Sequence, residues 1–293
     1  MLNTAFPAGA PASLHRAAPA TDLANRLSIS QTTTLRWTLP DAVDEYPREG
    51  IAGIAVSWES LRSYGLEPGV RLLRRSPLTV TSLGWVGGFT GDHGYTYDDA
   101  VAEARQAVMV AAEVGAHALT VVSGTQGGHI RPHARRLLID ALQELAPLAA
   151  ERKVRLALQP MHPLYENEWT FLVDLDQTLG VLDELDHPYV GMACGLYHLW
   201  QQPRFVERIP EFAHRIASVQ VSDWREPPRC DNDRVLPGDG TIPLEGIINA
   251  LEEAGYSGFY EIEVWSRDLW SRDQHDLIRQ CRQRYLDLVA AVA

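Results

Sequence analysis

The sequence predicts an α/β fold, a closed (β/α)8 barrel, and three observations lead there. Eight short, nearly continuous apolar runs recur along the chain, the pattern of strands buried on both faces. Amphipathic helical patterns separate them. The repeats occupy about 265 residues, close to the roughly 250 usual for an eightfold parallel barrel.

The runs fall at 27–32, 53–57, 78–83, 118–123, 154–159, 190–194, 216–221 and 258–264. A helix over 97–115 follows Thr96 as N-cap, carries Asp98 and Asp99 in its first turn and stops at Gly115. Further helices are expected over 131–153, 174–185, 204–214 and 243–255, the last with Pro243 at its opening and Gly255 at its close. A final helix is expected over 273–289. An open doubly wound sheet would place a Gly-rich turn after its first strand, and Gln31-Thr32-Thr33-Thr34 is nothing like one.

Composition narrows the function. Of 293 residues, 45% are hydrophobic and 22% charged, which excludes a disordered chain. The formal net charge is −12, so nucleic acid and anionic membrane surfaces are disfavoured partners. No apolar run approaches the ~18 residues of a membrane span. Cys194, Cys230 and Cys281 lie far apart, with neither disulfide nor thiolate-metal spacing. Residues 1–26, rich in Ala and Pro at their start, read as a flexible N-terminal arm, and 27–293 as one barrel domain. A cytoplasmic protein is expected.

In a barrel of this kind the chemistry sits where strands end. The fifth run ends Gln159-Pro160-Met161-His162, and the sixth ends Gly195-Leu196-Tyr197-His198-Leu199-Trp200. The seventh carries Gln220 and Asp223, followed by Arg234-Val235-Leu236-Pro237-Gly238-Asp239-Gly240. The eighth reads Glu261-Ile262-Glu263-Val264-Trp265-Ser266. In the Arg-x-x-Pro-Gly-x-Gly loop, the Tyr-His-Leu-Trp run and the Glu-Val-Trp-Ser ending, the chain resembles the sugar phosphate isomerase/epimerase family. These are xylose-isomerase-like barrels that include inosose isomerases and ketose 3-epimerases. The resemblance covers nearly the whole chain after Leu27.

The resemblance implies one divalent metal held by four side chains, at positions occupied here by Gln159, Gly195, Gln220 and Glu263. Three of the four have lost the ligand type, so no metal and no other cofactor is expected. An amide has no usable pKa near neutrality, which removes Gln159 as a general base. What remains is Glu263 and His198 as an acid–base pair, with Arg234 as anchor. Gln159, Gln220, Asp223, His162, His129 and Trp58 complete the expected ligand-contacting set. The favoured reading is an isomerase, epimerase or lyase acting without metal on a small sugar, polyol or keto acid. Two alternatives stay open: a non-catalytic binding or partner protein, and a metal-dependent sugar isomerase whose ligands have moved to His129, His162 and Glu263. Assembly into a homo-oligomer is also open. Glu261, one layer deeper than Glu263, calls for a buried partner, and Arg155 is the formal candidate.

Overall fold

Alternation of side chains along each strand gives the barrel wall two unlike faces. This is a computed structural model, and it describes residues 23–91, 94–230 and 233–292. Strands β1 (Leu27–Ser30), β2 (Gly53–Ser57), β3 (Thr79–Gly87), β4 (Ala118–Val122), β5 (Arg155–Leu158), β6 (Val190–Gly195), β7 (Ile216–Val221) and β8 (Tyr260–Ile262) close into one parallel barrel in chain order. Outward-facing Ile29, Ile54, Leu119, Leu158, Val219 and Ile262 are fully buried against the helices. The inward face is small and polar. Ala118, Ala157 and Ala193 form a separate cluster there, while Ser28 Oγ and Thr81 Oγ1 meet at 2.8 Å across the lumen.

The connecting helices are α1 (Leu39–Arg48), α2 (Trp58–Tyr64), α3 (Leu66–Arg75), α4 (Tyr97–Val114), α5 (Arg131–Arg152), α6 (Leu175–Leu185), α7 (Leu196–Leu199), α8 (Phe205–Phe212), α9 (Leu244–Glu253), α10 (Arg267–Trp270) and α11 (Gln274–Val292). Thr96 caps α4 as expected and shares a capping box with Asp99. Helices α1 to α3 were not expected. Pro40 and Pro47 in α1, and Pro68-Gly69 in α3, read locally as turn signals, yet Pro40 and Pro68 stand in first turns where no intrahelical N–H is required.

Two boundaries also differ. β8 ends at Ile262 because the backbone of Val264 leaves the sheet to donate to Thr33 Oγ1 at 3.0 Å. The expected N-terminal arm lies outside the described residues over 1–22. Its last four residues, Leu23–Arg26, are not loose. They form a 3-10 turn in which Arg26 binds the carbonyl of Gly258 and the carboxylate of Glu252, both at 2.7 Å. Tyr285 donates to the Leu23 carbonyl at 2.6 Å, which ties this turn to α11.

Candidate active site

The guanidinium of Arg234 organises the barrel mouth. Its Nη1 donates to Glu263 Oε1 at 2.9 Å and its Nη2 faces His198 Nε2 at 3.1 Å, with all three side chains buried. The guanidinium carbon lies 4.4 Å from the centre of the Tyr197 ring. Burial opposes the charge on Arg234 more than any one neighbour favours it, but Glu263 together with the Tyr165 and Tyr197 phenols outweighs it and holds the proton more tightly than in free arginine. Burial pushes the Glu263 carboxyl upward, and Arg234 pulls against that rise.

His198 is held neutral. Burial pushes it well below the usual histidine range, and the Arg234 charge adds to the effect. Geometry leads the same way. Nδ1 lies 3.1 Å from the His162 backbone N–H and Nε2 3.1 Å from an Arg234 donor; a neutral ring accepts at one of these, whereas an imidazolium accepts at neither. At neutral pH His198 is therefore an acceptor rather than an acid.

Arg234 reaches this place because the loop between β7 and α9 is stitched down on both sides. Its backbone N–H donates to the Trp265 carbonyl just beyond β8 at 3.0 Å. Asp233, beside it, is buried under ion pairs with Arg225 and Arg229, which hold its carboxyl down at about 2, hydrogen bonding to Arg229 contributing most. Asp223 accepts the backbone N–H groups of Gly238, Gly240, Trp224 and Ile242 at 2.8–3.0 Å. A Cβ on Gly240 would come within 2.4 Å of Asp223 Oδ1, so glycine is required there.

Gln159 and Gln220 flank Gly195 from the neighbouring strands. Trp85 Nε1 donates to Gln159 Oε1 at 2.5 Å, and Gln220 Nε2 donates to Ser218 Oγ at 3.0 Å and Glu261 Oε2 at 3.5 Å. Glu261 finds no arginine. It takes the Thr81 hydroxyl at 2.7 Å, and burial raises its carboxyl to about 7. Arg155 instead donates to the carbonyls of Ile216 and Arg215 at 2.8 and 3.2 Å, near the other end of the barrel.

A tryptophan wall covers the site. Trp85, Trp169 and Trp265 meet edge to face in every pairing, with centroids 5.5–6.0 Å apart. Beneath them lies a cavity of about 20 Å³, lined by Gln159, Tyr165, His198, Arg234 and Glu263 among others. Trp85 and Trp169 also line a neighbouring groove of about 260 Å³. Trp169 and Tyr165 come from the loop after β5, which has no periodicity to announce them. Trp85 and Trp265 were visible only as aromatics at strand ends.

Four expected contacts lie elsewhere. Trp58 is buried outside the barrel, where its Nε1 donates to Glu103 of α4 at 2.8 Å. His129 turns to the Thr90 carbonyl at 2.8 Å and stacks on His133. The ring of His162 packs on Trp224 and bonds Gln201 at 3.0 Å, so only its backbone serves the site, by orienting His198. Asp223 is saturated by backbone amides and acts on the loop. These side chains were chosen for their positions beyond strand ends, and the loops aim them away from the cavity.

A model of the xylose isomerase-like TIM barrel family matches residues 42–281, most of the chain. The chain belongs to that family. A crystal structure of a Sinorhizobium meliloti 1021 protein superimposes with a TM-score of 0.85 at 32% identity, covering 90% of this chain and 98% of that one. Among curated proteins, the inosose isomerase of Bacillus subtilis is 23% identical over 166 residues, 55% of this chain and 58% of that protein. The L-ribulose-5-phosphate 3-epimerase UlaE of Escherichia coli is 26% identical over 165 residues, 55% of each chain. The chain thus spans little more than half the length of the curated relatives it matches.

Gln159, Gly195 and Gln220, three of the four positions at which the resemblance implied metal ligands, converge here beside the Glu263 cavity, but the groups present do not suit a divalent cation. Gly195 offers no donor atom, and Gln159 Oε1 is engaged by an indole N–H. Glu263 already neutralises a fixed guanidinium 2.9 Å away, which would repel an incoming cation. Among the described residues, no three His, Cys, Asp or Glu side chains are grouped so as to hold an ion.

Proposed function

We propose that this barrel is an isomerase- or epimerase-type enzyme that moves a proton on a small keto or polyhydroxylated molecule, without a divalent metal. The observation that carries the reading is the Arg234 guanidinium spanning Glu263 and His198 beneath an aromatic wall. The named relatives, an inosose isomerase and a ribulose-phosphate epimerase, support a sugar-like substrate class.

In this reading Glu263 takes a proton from the carbon next to a carbonyl, and the C–H electron pair moves through the new C=C bond onto the carbonyl oxygen. The fixed charge of Arg234 stabilises the resulting enolate oxygen. Glu263 then returns its proton to the former carbonyl carbon, while the hydroxyl on the carbon first deprotonated passes its proton to the enolate oxygen and becomes the new carbonyl. With an amide at Gln159, a single carboxylate works from one face, which favours isomerisation over a two-base epimerisation. Neutral His198 takes no proton and helps to hold the Arg234 guanidinium in place. A ring-sized ligand exceeds the 20 Å³ cavity, so entry requires the Trp169 indole to swing toward the adjoining groove while Trp85 stays on Gln159.

The test is deuterium exchange followed by NMR, in D2O with chelator, using 2-keto-myo-inositol and L-ribulose 5-phosphate as probes. Exchange at the carbon next to the carbonyl is expected in wild type and lost in Glu263→Gln. Chelator-sensitive exchange would overturn the metal-independent mechanism. Tight binding of a probe without any exchange would leave a binding protein.

A further inference from the structure

Two buried amide atoms at the site make no hydrogen bond within the described residues: Gln159 Nε2 and Gln220 Oε1. Both glutamines are at least nine-tenths buried, so each unmet group carries a desolvation cost in the empty pocket. The two atoms look at the same place. A Cβ built on Gly195 would lie 3.6 Å from Gln159 Nε2 and 3.6 Å from Gln220 Oε1.

Their orientations are dictated by their other partners. The indole of Trp85 only donates, so the Gln159 oxygen must face it and the amide nitrogen turns toward Gly195. Gln220 directs its nitrogen at the Glu261 carboxylate and Ser218, leaving its oxygen on the Gly195 side. Gly195 itself has φ −78° and ψ 108°, a conformation open to any residue. Its missing side chain is therefore a matter of room, and a Cβ there would press to 2.9 Å on His198 Cδ2.

A group placed between these atoms must accept from an N–H and donate to a C=O. An alcohol or a water does both, a ketone or carboxylate only accepts, and a cation meets the wrong end of Gln159. We infer that the space above Gly195 is a binding site for one hydroxyl group, a secondary alcohol of the ligand or a water in its place, clamped between Gln159 and Gln220. The inference rests on the proposed polyol or keto-polyol ligand and assigns the position of one of its hydroxyls.

The test uses myo-inositol as probe, with affinity measured calorimetrically in the full chain. Gly195→Ser, which puts the protein's own hydroxyl in this space, is expected to weaken binding about tenfold or more. Gln220→Met, which removes the acceptor, should weaken it similarly and serves if the serine variant fails to fold. Unchanged affinity in both, with binding lost in Arg234→Gln, would overturn the hydroxyl site and leave the pocket reading standing. If wild type ignores myo-inositol, the polyol reading falls and a high-resolution crystal structure decides the rest. An ordered water within about 3.2 Å of both amide atoms, displaced in Gly195→Ser, supports the site, and its absence overturns it. One equivalent of zinc bound through both amide oxygens would also overturn it.

Discussion

The two faces of the barrel wall are built from the same strands and obey different physics. Outside, Ile29, Ile54, Leu119, Leu158 and Ile262 pack on helices, and their worth is the apolar area withdrawn from water. Inside, Ser28, Thr81, Glu261, Gln220 and Ser218 make a chain of hydrogen-bonded hydroxyl, amide and carboxyl groups that leaves Gln220 Oε1 unmet, and Glu263 pairs with Arg234. Interiors of such barrels are ordinarily filled by branched apolar residues. Here the inner face has given up that packing for polar groups that converge on the mouth. The outer face carries stability and the inner face carries chemistry.

The largest effect expected on this contrast comes from the ion pair between Arg234 and Glu263, both partners buried. Arg234→Met leaves Glu263 charged and uncompensated, and should cost about 3–5 kcal/mol in urea unfolding at pH 7. The double variant Arg234→Met/Glu263→Leu should recover most of that loss. If the single variant is as stable as wild type, the inner face is not electrostatically coupled as described. On the outer face, Leu119→Ala removes a fully buried side chain and should cost about 3 kcal/mol, with no dependence on pH.

Glu261 separates the faces by pH. Its carboxyl stands near 7 in the folded protein against 4.5 when exposed, so the native state binds the extra proton between those values. The stability this confers is fully present below pH 4.5 and is lost as pH rises through 7. The loss amounts to about 3 kcal/mol at about 1.4 kcal/mol per pH unit. Glu263 on the same strand and the buried phenol of Tyr256 are the titratable groups that act on it. Urea unfolding from pH 5 to 8 should show wild type falling relative to Glu261→Gln. Parallel curves would mean that the lumen is wetter than its burial implies. The smallest effect belongs to Ser28→Ala, about 1 kcal/mol or less, because Thr81 keeps its bond to Glu261.

Much of this plan was legible beforehand. β2 and β7 lie where the apolar runs placed them, and α4 starts at its predicted cap. Arg234, His198, Glu263, Gln159 and Gln220 were expected together and line or adjoin one cavity. Trp58, His129 and Asp223 were expected with them and are not there. The difference is local geometry. A strand fixes by alternation which way its last residue points, whereas a loop residue has no such rule and goes where its hydrogen bonds take it.

By itself, then, the sequence determined the strand count and the inward set at the carboxyl ends of β5 to β8. These depend on period-two alternation and residue type, which need no third dimension. Only the tertiary structure decided that Arg234 neutralises Glu263 and faces His198, that a hydroxyl rather than Arg155 receives Glu261, and that tryptophans from β3 and from the segments after β5 and β8 close the mouth. Such partnerships join residues up to 180 positions apart, Thr81 and Glu261 being the widest of these, and only closure of the barrel brings their strands within hydrogen-bond reach.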